Sequence, residues 1–508
     1  MPQVLTGVAP DSAENRELVA NVHPADWVNP EPADCYNLVV IGAGPAGLIA
    51  AAGAAGLGAK VALIEGQLMG GDCLNVGCVP SKGIISAARA LHDARNSGDF
   101  GIIGGGTLPF DFATAMTRMR RLRAQISQHD SARRFRDELG VDVFLGVGSF
   151  SGPATVTVEG KELRFKKAAI CSGARASVPP IPGLVEAGYL TNETIFNLTA
   201  LPGRLAVIGG GPIGCELAQT FARFGSQVTL IELAPRLLGR EDSAAAELLH
   251  HVFVREGIAL QLGVKILGVK KGEGGKILRL ERDGEAIAVA ADAILVAVGR
   301  APNLEGLNLE KAGVQATAAG VTVSATLRTS NPNIYAAGDS CSPAKFTHHA
   351  DAQARILIAN ALFLGRQKVT ALTLPWCTYT DPAIAHVGLY EEEAQAQGIA
   401  VTTLTVPLAE IDRALLDGES EGFARVHLRQ GTDQILGATI VARHAGEMIN
   451  EFTLAIGSNL GLSAIAKTIH PYPTQAEVIK RLADAYNRTR LTPRIKKLLS
   501  AWLRWQRG

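Results

Sequence analysis

Cys73 and Cys78 stand five positions apart in GGDCLNVGCVPSK, residues 70–82, with glycines around them and Lys82 just behind. Two thiols at that spacing can do three kinds of chemistry. They can close a structural disulfide, supply half of a metal site, or gain and lose electrons as a dithiol–disulfide couple. The rest of the chain has to decide between them.

The elements that must position such a pair are legible on either side. LVVIGAGPAG reads as a strand entering a tight turn, LIAAAGAAGLGAK as the helix behind it, and VALIE as a second strand. Gly42, Gly44 and Gly47 make G-x-G-x-x-G, and Glu65 ends the second strand. Glycines there let the backbone turn sharply and approach a pyrophosphate on the positive end of the helix, while the acid accepts from ribose hydroxyls. The pattern recurs. LAVIGGGPIGCELA sets Gly209, Gly211 and Gly214 behind a strand, and VTLIE ends at Glu232. In both copies the acid lies 23 positions after the first glycine. Two such units predict two dinucleotide sites, one holding its cofactor tightly and one exchanging it. At the second, Glu232 favours NADH, because a carboxylate repels the phosphate of NADPH; Arg236 and Arg240 close behind leave NADPH as the alternative.

Residues 38–59 carry no charge and are long enough for a membrane span. The strand-like opening and the glycines that follow fit a buried strand and turn instead, so no span is expected there. At 508 residues the chain exceeds one hydrophobic core and predicts several domains. Hydrophobic content of 47% with 19% charged residues describes a folded globular protein, and a net charge of +1 excludes nucleic acid as an expected partner. The other five cysteines are scattered and the N-terminus lacks a basic start before an apolar run, which together predict a cytoplasmic protein without a signal peptide.

With two nucleotide turns and the cysteine segment in hand, the chain resembles the class I pyridine nucleotide-disulfide oxidoreductases from about residue 36 to about residue 488. GGDCLNVGCVPSK matches that family's redox-active segment with both cysteines in register. CSGARA (171–176) and AVGRAPN (297–303) match its crossings between two nucleotide domains, NIYAAGDSCS a flavin-contacting segment, and TDPAIAHVG (380–388) the start of its interface domain. The resemblance implies an α/β fold with two Rossmann-like dinucleotide-binding domains, for FAD and NAD(P), plus a C-terminal α+β dimerisation domain. The implied division is an N-terminal extension (1–35), an FAD domain (36–185 and 305–370), an NAD(P) domain (186–304), an interface domain (371–490) and a basic amphipathic tail (491–508). It implies FAD and NADH as cofactors, with Gly42, Gly44, Pro45, Ala46, Gly47, Glu65, Gly71, Asp72, Gly148, Ser172, Gly173, Gly209, Gly211, Ile213, Gly214, Glu232, Gly299, Gly338 and Asp339 at the binding positions.

The resemblance also settles the expectation for the cysteine pair. A loop this short adds little closure entropy as a staple, and no nearby Cys or His pair completes a zinc site, so no metal ligands are expected. Redox exchange fits. The resemblance implies that Cys78 lies beside the flavin as the charge-transfer thiolate and Cys73 exchanges with the acceptor, while Lys82 and Glu216 pair beside the flavin.

Where the family's disulfide reductases carry His-Pro-Thr, with a glutamate five residues after the histidine, this chain reads HPYPTQAE, residues 470–477. Tyr472 occupies the histidine's place and Glu477 the glutamate's. A phenol of pKa about 10 is a poor base beside an imidazole of about 6.5. His470 comes two residues early and is expected to be structural. A tyrosine here resembles mercuric reductase, whose acceptor is a thiolate-bound metal ion. Cys377 is the last cysteine, however, so that enzyme's C-terminal cysteine pair is missing, as is an N-terminal C-x-x-C domain.

The reading is therefore an enzyme passing electrons from NAD(P)H through FAD to Cys73–Cys78 and on to a small disulfide or polysulfide, with a thiolate-bound metal ion as the alternative. Tyr472 and Glu477 of the partner subunit would shape the acceptor pocket in a homodimer. Three segments lie outside this core. The arginine-rich stretch 112–139 is read as the solvated face of a helical pair. FTHHADAQARIL (346–357) is read as a helix whose N-terminus faces the flavin. PRIKKLLSAWLRWQRG sets apolar and basic residues on opposite helical faces, a pattern that suits packing on the chain's own dimer, a partner's groove or an electron relay at the inner face of a membrane.

Overall fold

The computed structural model describes residues 8–508. It resolves into two compact units, one running to Leu237 and resuming over Phe253–Leu372, the other comprising Leu238–Val252 and Thr373–Gly508.

In the first unit, the apolar run Tyr36–Ile41 is a central strand, paired in parallel with Val61–Glu65 on one side and Lys161–Ile170 on the other. Helices cover both faces of such a sheet, so its strands are apolar on both sides rather than alternating. Asp142–Leu145 extends the parallel run beyond Val61–Glu65, and Ile334–Ala336 joins Lys161–Ile170 from a distant part of the chain. A second parallel sheet follows the same logic in the order Ala259–Leu262, Gln227–Glu232, Arg204–Ile208, Ala293–Val296. The two crossover segments meet: Ala174–Ala176 pairs antiparallel with Arg300–Pro302. The uncharged stretch 38–59 is strand, turn and helix, and among the described residues no helix is long and apolar enough to cross a membrane.

The segment before residue 36, which sequence reasoning left unassigned, is structural from residue 8 onward; residues 1–7 lie outside the described part. Ser12 caps the helix Ala13–Val22, whose Leu18 and Val22 are fully buried in the same core as Ala124. Asn29 then brackets Leu145, accepting from its N–H at 2.8 Å and donating to its carbonyl at 2.9 Å. Those bonds cover the edge of the sheet at Asp142–Leu145, which would otherwise be open to pairing.

The stretch 112–139 is helical, as Phe112–Ser127 and Ala132–Asp137. Its reading as a uniformly solvated face is corrected for two arginines. Arg120 and Arg123 are buried, and both donate to main-chain carbonyls, of Leu198 and Asn75 respectively. Charge counting misses them because helical spacing turns both positions toward the core beside Met116 and Met119.

The second unit is built on a five-stranded antiparallel sheet, ordered Pro375–Thr378, Ala383–Gly388, Ile435–Ala442, Phe423–Arg429, Val401–Pro407. Ile435–Ala442 is buried on both faces, and Phe452 on the helix Ala445–Gly457 shares its core. The helix Glu477–Arg490 packs into that core through Val478, Ile479, Leu482 and Ala483. Beyond it, Pro493–Gln506 is a helix with no buried residue.

Candidate redox site and nucleotide turns

Cys73 lies in the short helix Gly71–Asn75, and Cys78 is the first residue of the helix Cys78–Arg95. Both are free thiols in the structure. The Cys73 thiol donates to the Cys78 sulfur, and this bond, more than any other influence, holds Cys78 down to about 6. Burial opposes it, while Thr347 and the Lys82 ammonium reinforce it. The position at a helix N-terminus favours the thiolate too. The same bond, with burial, pushes Cys73 far up. The two thiols are therefore pushed in opposite directions, Cys78 toward the thiolate and Cys73 toward the thiol.

Thr347 Oγ1 sits 3.5 Å from Cys78 Sγ and is the first residue of the helix Thr347–Leu362, so that helix forms where FTHHADAQARIL predicts it. Lys82, one turn after Cys78, places Nζ 2.8 Å from Glu216 Oε2; the Glu216 side chain is only 7% exposed. The structure therefore brings together four of the six expected catalytic residues: Cys73, Cys78, Lys82 and Glu216.

The two glycine turns are near copies of each other. Gly42 and Gly209 adopt φ of +100° and +112°, which only glycine accepts without strain. A Cβ on Gly47 would lie 1.8 Å from the Gly42 oxygen, and one on Gly214 would lie 1.9 Å from the Gly209 oxygen. Helix and strand can touch there only through glycine. The middle glycines, Gly44 and Gly211, are the helix N-caps, ahead of Pro45 and Pro212 at the first position. A Cβ on Gly211 would meet nothing within 4 Å, and one on Gly44 only the Gly71 Cα at 3.7 Å. Open space faces the unpaired N–H groups of each helix, which is the cradle a pyrophosphate requires. The acids match as well. Glu65 accepts from Ala43 N–H at 2.7 Å and Gln67 N–H at 2.8 Å; Glu232 accepts from Gly210 N–H at 2.5 Å and Ala234 N–H at 2.8 Å. Burial raises Glu65 above the usual carboxylate range despite those donors.

Other expected cofactor positions line the first turn or the crossovers. Ala46 packs under Gly338, Gly71 abuts Gly44, and Gly148 lies against Ile64. Ser172 and Asn303 exchange two hydrogen bonds that fasten the crossovers together next to Gly173, while Gly299 adopts φ +137° just before the strand Arg300–Pro302. Ile213 is partly exposed in the first turn of Pro212–Phe224. Gly338 donates its N–H to Gln353 Oε1 at 2.7 Å.

Arg300 is the functional candidate that sequence reasoning passed over inside AVGRAPN. It pairs with Asp72, lies 3.5 Å from Asp339 and donates to the Ala174 carbonyl, joining three expected cofactor segments through one cation. Its signal was a lone arginine among glycines and alanines in a crossover, where a buried charge needs partners.

Tyr472 and Glu477 lie in the second unit. The Tyr472 hydroxyl donates to Asp412 Oδ2 at 3.0 Å, and this bond raises the phenol further above its ordinary value. Glu477 opens the helix Glu477–Arg490 and pairs with Arg481 at 2.9 Å, leaving its buried Oε2 without a hydrogen-bond partner. His470 is committed elsewhere. Its Nε2 lies 3.1 Å from both Glu451 oxygens and its Nδ1 3.1 Å from the Thr468 carbonyl. Among the described residues no cluster of His, Cys, Asp and Glu could hold a metal ion.

Comparison with known proteins places this geometry. Residues 36–354 match the pyridine nucleotide-disulphide oxidoreductase family, and residues 374–483 match its dimerisation domain. A mercuric reductase of Staphylococcus aureus is 36% identical over 454 residues, 89% of this chain and 83% of that protein. A dihydrolipoyl dehydrogenase of Thermus scotoductus is 35% identical over 465 residues, 89% of this chain and 98% of that protein. Among solved structures, the HOCl-induced flavoprotein disulfide reductase RclA of Escherichia coli superposes with a TM-score of 0.80 at 29% identity, covering 88% of this chain and 99% of its own. LpdA of Mycobacterium tuberculosis gives 0.81 at 27% identity, covering 89% and 99%. The dimerisation domain supports a homodimer. With the duplicated nucleotide turns and the paired thiols already in place, these matches make the chain a member of the pyridine nucleotide-disulphide oxidoreductases, FAD-binding enzymes that depend on a pyridine nucleotide.

Proposed function

We propose that this enzyme carries electrons from NADH to the Cys73–Cys78 couple and on to a small disulfide or polysulfide. The observation that carries the reading is the pair of free thiols at the start of the helix Cys78–Arg95, with Thr347 Oγ1 against Cys78 and the Lys82–Glu216 pair one turn along the same helix. Bound FAD supplies the two-electron relay between nicotinamide and sulfur. Residues 36–185 with 305–370 would hold it, through the open N-terminus at Gly44 and the acid Glu65. Residues 186–304 would hold NADH at Gly211 and Glu232, with NADPH disfavoured by that carboxylate.

The thiol chemistry balances without an outside base. The Cys73 proton passes to Cys78, and the Cys73 thiolate attacks one sulfur of the acceptor, releasing the other as a thiolate. That leaving group takes the proton from Cys78. The Cys78 thiolate then attacks Cys73, closes the disulfide and releases the second half of the acceptor. A dithiol and a disulfide have become a disulfide and two reduced sulfurs. Lys82, held by Glu216, favours negative charge at Cys78, which helps return its proton to the leaving group and ready it for the second attack. Residues 371–490 would form the dimer, bringing Tyr472 and Glu477 of the partner subunit to the acceptor, and a reducing cytoplasm is the compartment that suits the couple.

Tyr472 favours a second reading. Its phenol is held by Asp412 and shifted upward, so it takes no proton near neutral pH. A soft metal ion bound by both thiolates needs none removed from the substrate. Mercuric reductases are among the relatives, and RclA has been solved as a Cu(II) complex.

NADH consumption by the FAD-loaded dimer separates the two. It is measured with mercuric ion in excess thiol and with a small disulfide, on the native enzyme and on the Cys73→Ser/Cys78→Ser variant. Cysteine-dependent turnover on the disulfide supports the first reading, and turnover on the metal alone replaces it with the second. Turnover that survives loss of both cysteines overturns both.

A further inference from the structure

The residues after the interface domain form a surface with its own chemistry. Thr492 caps the helix Pro493–Gln506, accepting from Ile495 N–H at 3.3 Å, with Pro493 at the first position. Cap and proline together start a helix without help from packing. At roughly 100° per residue, Ile495, Leu498, Leu499, Trp502, Leu503 and Trp505 share one arc of about 160°. Arg494, Lys496, Lys497, Arg504 and Arg507 take the remainder, with Arg494 and Lys496 on the two margins of the apolar face. None of the apolar side chains is covered: Leu498 and Trp505 are each 71% exposed, and Ile495, the least exposed, 43%.

Charge decides what covers this face. After Asp484 the chain has seven cations and no acid. A second copy of the same helix would oppose like charges, and the matched dimerisation segment ends at residue 483, before the helix begins. An anionic, apolar surface satisfies both faces at once. Trp502 and Trp505, with ring centroids 5.0 Å apart, suit the boundary between headgroups and acyl chains, where an indole keeps its N–H hydrated. The marginal Arg494 and Lys496 can lay their stems along the apolar face and reach headgroups with their charges. The helix does not span, because among the described residues none is long and apolar enough to cross.

We infer that residues 493–508 are an interfacial anchor that docks this oxidoreductase on an anionic lipid surface, with the apolar arc in the acyl boundary and the cations on the headgroups. A homodimer carries two such helices on one body, so the second docks at high effective concentration once the first is seated.

Vesicle flotation of the FAD-loaded full chain tests this directly. Vesicles of phosphatidylcholine with phosphatidylglycerol are compared with phosphatidylcholine alone, at about 0.1 M and about 1 M salt, where the screening length falls from about 10 to about 3 Å. The expected result is binding to anionic vesicles at low salt, at least tenfold weaker on neutral vesicles or at high salt, with a blue shift of tryptophan emission. A chain lacking residues 493–508 should keep its NADH oxidation and lose flotation. Lys496→Gln/Lys497→Gln/Arg504→Gln should lose the lipid preference, and Leu499→Gln/Trp502→Gln should lose binding at every salt. Equal flotation of the full and shortened chains overturns the inference. So does a full chain that stays in the soluble fraction, or one whose oligomeric state in solution changes on deletion while no vesicle is bound; that last outcome assigns the helix to a protein contact.

Discussion

Arg123 donates a 2.5 Å hydrogen bond to the main-chain oxygen of Asn75, between Cys73 and Cys78, and a second of 2.7 Å to the Asn15 side chain. One buried cation thereby ties the helix Ala13–Val22 to the redox loop. The Asn75 amide itself donates to Met69 and Gly71 oxygens, and Asn192 donates to the Val76 carbonyl, so the loop is gripped from several sides. Arg123→Met would leave buried acceptors without their donor, at about 1–3 kcal/mol. A lower denaturation midpoint with faster alkylation of Cys73 is expected. An unchanged midpoint would show that the extension does not support the loop.

Cys78 is expected to titrate near 6 in the reduced enzyme. Its folded value lies below the ordinary thiol value of about 8.5, so the thiolate's contribution to stability is complete above about 8.5 and is lost as pH falls through 6. Iodoacetamide labelling of Cys78 should rise through pH 6 and level off by neutrality. Cys73→Ala removes the largest cause of the depression and should move that midpoint upward; a midpoint that stays put would assign the effect to the helix N-terminus.

The Lys82–Glu216 pair is predicted to act through charge rather than shape. Lys82→Met should raise the Cys78 midpoint and slow cysteine-dependent NADH turnover roughly tenfold, because the nearby cation is gone. Combining it with Glu216→Gln should recover part of the stability loss, since the buried carboxylate is then no longer left charged. Additive losses in that cycle would argue against direct coupling.

Glu232 is predicted to set coenzyme choice. Glu232→Ala should lower the ratio of kcat/KM for NADH over NADPH by about tenfold, as the repulsion of the 2′-phosphate is removed. The mutant also loses the acceptor for Gly210 and Ala234 N–H, so a fall in stability of about 1–3 kcal/mol is expected alongside. An unaltered ratio would move the preference to other residues of the turn.

The chain's local patterns determined a great deal by themselves. Glycine spacing, the apolar runs before it and the acids after it specify both nucleotide turns, because a tight turn with helix on strand excludes every residue but glycine at Gly47 and Gly214. Those features are local, and periodicity reports them faithfully. The cysteine segment was equally legible, whereas Tyr472 stood out only through the resemblance to the family's His-Pro-Thr segment.

Tertiary structure decided what lies far apart in sequence. The contact of Cys78 with Thr347, 269 residues away, and the pairing of Lys82 with Glu216, 134 residues away, exist only once the sheets are assembled. The same holds for Arg300 between Asp72 and Asp339, and for Arg123, which reads as surface charge until the helix Ala13–Val22 covers it. A charged side chain carries no mark of burial in its own neighbourhood. Only the elements packed over it, and the carbonyls they offer, make a buried cation affordable.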